Sequence, residues 1–173
     1  MKRLFLSTMI SLLLTSGMCG AQKRCGLGAD QTPCGPGGPQ QGGPRMGTWK
    51  LNETKSKLDP RAPKNNTVVY EVTGDDVKVT VDGYDRDGKP THNEWAGKFD
   101  GKDYPVTGDP NSDARSYKKV DDRTLEVTVK KDGKVTVSGR IFVSADGKTR
   151  TVTTSGTDPQ GKKFRNVSVY DRQ

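Results

Sequence analysis

The tripeptide Asp-Gly-Lys occurs four times in this chain, at Asp87-Gly88-Lys89, Asp100-Gly101-Lys102, Asp132-Gly133-Lys134 and Asp146-Gly147-Lys148. Gln160-Gly161-Lys162 is a fifth relative. Asp-Gly between alternating apolar runs marks a tight hairpin, because a type I′ turn needs positive φ at both central residues. The repeats therefore read as corners of one antiparallel meander. They constrain the fold and carry no chemistry of their own.

Between the corners the residues alternate. Val77, Val79 and Val81 point one way, and Lys78, Thr80 and Asp82 the other. Leu125, Val127 and Val129 repeat the pattern, as do Val135, Val137, Ile141 and Val143. A period of two with β-branched residues is a half-buried strand. Ten strands are expected, near 47–52, 67–73, 76–83, 91–99, 103–107, 114–120, 124–131, 134–144, 148–157 and 162–171. Gly74-Asp75, Gly108-Asp109-Pro110-Asn111 and Asp121-Asp122 supply the remaining turns. The fold class is all-β: an antiparallel up-and-down meander of about ten strands, a closed or nearly closed barrel. Closure removes edges that valine-rich strands would otherwise expose. At about eight strands side chains just fill a barrel. Ten strands lined mainly by valine should flatten or keep a cavity.

The N-terminal segment has a different composition. Lys2 and Arg3 precede the mostly apolar run Leu4 to Leu14, which is too short to span a bilayer. Residues 1–21 read as a signal peptide cleaved between Ala21 and Gln22; lipidation at Cys19 is the competing reading, and the only route to a membrane. Residues 22–46, rich in Gly, Pro and Gln, cannot bury enough apolar surface to offset their ordering entropy, so a disordered tether is expected there. Cys25 and Cys34 remain after cleavage. An exported compartment permits them to pair, the alternative being two free thiols. The location implied is secreted, periplasmic or cell envelope.

The folded domain, 47–173, carries 24 basic and 20 acidic residues, a net charge of +4, against +8 for the whole chain. Its charges are interspersed and form no stripe, which argues against a nucleic-acid partner.

The domain opens with Gly47-Thr48-Trp49-Lys50-Leu51 and ends with Val169-Tyr170-Asp171-Arg172. With the meander, these ends resemble the lipocalin and fatty-acid-binding-protein superfamily of small β-barrels, and exported bacterial lipocalin-like proteins of unassigned function. The resemblance implies that Trp49 packs across the barrel floor near Arg172. It departs from the intracellular fatty-acid binders where they close with Arg-x-Tyr, since the triplet here is Ser168-Val169-Tyr170. The segment Glu53 to Asn66 is also too short and proline-broken for their two-helix lid.

Within the barrel, Trp95 and Phe99 share a face, and Tyr170 shares one with Phe164, Asn166 and Ser168. Aromatics beside small polar residues suit a ligand cavity, so Trp95, Phe99 and Tyr170 are the candidate ligand-binding residues, although ordinary packing of a wide barrel is the favoured reading of them. Gly83 to Glu94 approximates a calcium loop, with Asp85, Asp87 and Glu94 at ligand positions. Gly83 at the first position and Pro90 at the eighth favour a plain acidic turn, so no metal is assigned. His92 is the only histidine and faces opposite Trp95, as a solvated strand residue does. No acid–base or nucleophile constellation emerges, so no catalytic residue, enzymatic activity or cofactor is assigned.

The expectation is a monomeric, exported, non-enzymatic protein that binds a small apolar or amphipathic ligand. The alternative is a structural or interaction protein of the cell envelope with a filled core.

Overall fold

The computed structural model describes residues 43–60, 62–157 and 161–173. The signal segment, Cys19 and the Cys25–Cys34 pair lie outside the described residues.

Ten antiparallel strands run in chain order around a closed barrel: β1 (Gly47–Leu51), β2 (Lys64–Thr73), β3 (Asp76–Tyr84), β4 (Pro90–Gly97), β5 (Tyr104–Thr107), β6 (Ala114–Lys119), β7 (Thr124–Lys131), β8 (Lys134–Val143), β9 (Thr149–Thr157) and β10 (Lys163–Arg172). Each strand pairs with its sequence neighbours, and β1 pairs with β10 to shut the ring, with Trp49 opposite Arg172 and Leu51 opposite Tyr170. The barrel is closed, so it has no free edge.

The Asp-Gly corners are not all alike. Only Asp132-Gly133 has positive φ at both residues, 50° and 73°, the type I′ requirement. It joins β7 and β8 as a two-residue loop. At Gly88, Gly101 and Gly147 the glycine alone is left-handed, and the loops are longer. There the structure departs from a uniform I′ reading, because an Asp side chain organises each turn. Asp85 Oδ1 accepts from the backbone N–H of Asp87 and Lys89, Asp100 Oδ1 from Lys102, and Asp146 Oδ1 from Lys148. These carboxylates stand in for a backbone turn.

One end of the barrel, toward the start of β1 and the end of β10, is tightly filled. Trp49, Val79, Leu125 and Val143 have no exposed surface. Trp95 stacks on Phe99 with ring centroids 6.3 Å apart and planes 7° apart, while Tyr117 and Tyr104 meet the Trp95 ring edge-on at 4.7 and 5.7 Å. Both indoles are satisfied: Trp49 Nε1 donates to the Arg45 carbonyl at 2.9 Å and Trp95 Nε1 to the Arg115 carbonyl at 2.8 Å. The guanidinium of Arg172 lies 5.0 Å from the Trp49 ring centroid. The filling is thus not mainly valine. Aromatics and arginines in polar-looking strands, such as Ala114–Lys119, share the inward phase and occupy the space.

Gly43–Arg45, assigned to the tether by composition, forms a short 3-10 turn that plugs this end. Arg45 is buried; its guanidinium donates to the Asp121 carbonyl and sits 5.7 Å from the Phe99 ring centroid.

The other end is less filled along β7–β10. The inward Val129, Val137, Val152, Thr154, Phe164 and Ser168 are only half-buried.

Candidate ligand site

The interior holds an unusual charge. Arg150, on β9, is 4 % exposed and stands directly opposite Tyr170 of β10. Its Nη2 donates to the Tyr70 hydroxyl at 2.8 Å, and its guanidinium lies 4.9 Å and 5.1 Å from the ring centroids of Tyr70 and Tyr170. Nε and Nη1 have no partner. Among the described residues, no carboxylate pairs with it.

Two further guanidiniums share the interior. Arg115, on β6, is 8 % exposed. Its Nη2 donates to Asn93 Oδ1 at 3.3 Å and approaches Asp109 Oδ2 at 3.9 Å, while its Nε is unmet. Arg45 Nε is unmet as well. Burial opposes the Arg115 charge, and the nearby Asp109 carboxylate supports it. Burial pushes the Tyr70 and Tyr170 phenols up, with Arg150 pulling the other way. Both phenols therefore stay neutral at physiological pH.

An unpaired buried charge costs several kcal/mol unless an opposite charge compensates it. Arg150 presents a planar donor fork, two of whose nitrogens are free, between two aromatic faces. That geometry suits a planar oxyanion, which a guanidinium can bind in a bidentate manner.

Trp95 and Phe99 come together, but inside the packed aromatic stack. Tyr170 is apart from them, over Arg150. Asp85 is committed to two backbone N–H groups, and Glu94 forms an ion pair with Lys78 at 2.6 Å on the outer face. Among the described residues no cluster of carboxylates, histidines or cysteines is arranged to hold a metal. His92 lies outside, its Nδ1 2.7 Å from Asp82 Oδ1.

Arg150 and Arg115 are the residues that reading along the chain missed. Their phase carried the signal: Arg150 is two residues before the inward Val152, and Arg115 two before Tyr117. Ser168-Val169-Tyr170 itself has no arginine, and Arg150 stands opposite Tyr170 across the strand pair.

No family model matches the sequence, and no curated protein matches it. Among solved structures, the chain is similar to "a redesigned beta barrel, mFAP1, bound to DFHBI", at 14 % identity and a TM-score of 0.43, over 75 % of this chain and 95 % of that one.

Proposed function

We propose that this chain is an exported, non-enzymatic, lipocalin-like binding protein for a small amphipathic molecule with an anionic head. The observation that carries this is Arg150: buried, without a carboxylate partner, with two unmet donors. The anionic head meets Arg150 beside Tyr70 and Tyr170. The apolar remainder extends along the half-buried lining of Val152, Val137 and Val129 toward the less filled end.

Titration with dodecanoate and with its neutral counterpart dodecanol, followed by Trp fluorescence and native mass spectrometry, tests this. The carboxylate is expected to bind about tenfold or more tighter, a difference of about 1.4 kcal/mol. Arg150→Met should erase that preference. Equal affinity for acid and alcohol, or no binding of either, overturns it. The second reading, an envelope interaction protein with a filled core, draws on the fully packed aromatic end; a reproducible crosslinked partner together with an empty lipid extract would favour it.

A further inference from the structure

The outer wall of β7–β10 carries an open groove of about 810 Å³. It lies over Gly139, where β8 and β9 pack too closely for any side chain: a Cβ there would sit 2.3 Å from the Thr153 carbonyl oxygen. Six of the twelve residues that line the groove are serine or threonine. Thr151, Thr153 and Ser155 succeed one another on the outward face of β9, flanked by Thr128 and Ser138. Along a strand, alternate residues are ~6.7 Å apart, so this row spans ~13 Å. Phe142 stands at one end, opposite Thr151 and 47 % exposed. Arg165 stands at the other, opposite Ser155. Arg140 is engaged by Glu126 at 3.1 Å, whereas Arg165 has no ion pair among the described residues.

We propose that this groove is a second binding site, for a short acidic oligosaccharide. A row of hydroxyls, each both donor and acceptor, matches the donor and acceptor hydroxyls of a sugar. The exposed ring of Phe142 offers a flat, electron-rich face to the C–H side of a pyranose. Arg165 presents a free fork to a uronate carboxylate. A protein partner is disfavoured, since Val127 and Phe142 are the only apolar side chains in the lining, too few for the apolar centre of a protein interface. A nucleic acid is disfavoured too: one free arginine beside Glu126 does not make a phosphate-tracking stripe.

The test is calorimetry and NMR shift mapping with a glucuronate hexamer and a neutral cellohexaose of equal length. The uronate is expected to bind, with shifts confined to β7–β10. Arg165→Gln should weaken it about tenfold, the loss of one charge-assisted pair, and leave the neutral sugar unchanged. Phe142→Ala should weaken both, and Arg150→Met neither, which separates this site from the interior one. Failure of the uronate to bind overturns the proposal. So does equal binding by wild type and Arg165→Gln, or equal weakening by Lys134→Gln, a basic residue outside the groove.

Discussion

The two sides of the barrel are built from the same alternating strands and end in opposite states. Across the Trp49 end and along β2 to β6, inward Trp49, Val68, Tyr70, Val79, Trp95 and Tyr117 are sealed. From β7 to β10, toward the other end, Val129, Val137, Val152, Thr154, Phe164 and Ser168 stay half-buried, while the outer face of the same wall holds a groove. Alternation alone decides which residues face inward. Side-chain volume decides whether the interior closes.

Substitutions should separate the two sides. Trp95→Ala, on the sealed side, is expected to cost ~3–5 kcal/mol in urea unfolding. Val152→Ala, on the open side, should cost only about 1 kcal/mol, because its methyls are already partly hydrated and leave little new cavity. Equal losses would break the distinction. Arg150→Met removes an uncompensated charge at the cost of the Tyr70 hydrogen bond. Stability should hold or rise by up to about 3 kcal/mol, and a large loss would show that Arg150 supports the fold rather than a ligand.

Hydrogen exchange sharpens the comparison without mutation. Amides of β8 and β9, flanked by hydroxyls on one face and half-buried side chains on the other, should exchange sooner than those of β3 and β4. The smallest effect lies on the outer face of the sealed side, at His92. The Asp82 hydrogen bond, chiefly, raises its pKa. A raised folded value means the contribution is fully present below the unfolded histidine value of about 6.5 and fades as pH climbs through the folded one. An NMR titration should place the His92 midpoint above that reference, and Asp82→Asn should lower it. A wild-type midpoint at or below the reference would contradict the contact.

The strand count and strand order were legible because valine periodicity and Asp-Gly corners are local. Predicted and observed strands coincide closely from β3 onward, and β2 only begins earlier, at Lys64. The site was less legible for two reasons. Arg115 and Arg150 lie among Lys, Thr and Ser, so no apolar alternation marks their positions as inward. The partnership of Arg150 with Tyr70 and Tyr170 joins β9 to strands at both ends of the chain, which no local window reveals. The Arg45 plug was hidden because glycine- and proline-rich composition describes the segment's average and not its last side chain.

Joining β1 to β10 has a kinetic consequence. The two strands that seal the ring come from opposite ends of the domain, so their pairing costs the most chain entropy and is rewarded last. Folding should therefore pass through an opened sheet with two bare edges, the species most exposed to self-association. Arg172 is placed to end that exposure. Its guanidinium donates to the carbonyls of Pro44 and Met46 while lying on Trp49, so one side chain fastens the last strand to the first. Loss of that clasp would be read less in equilibrium stability than in how much protein is lost to aggregation during refolding.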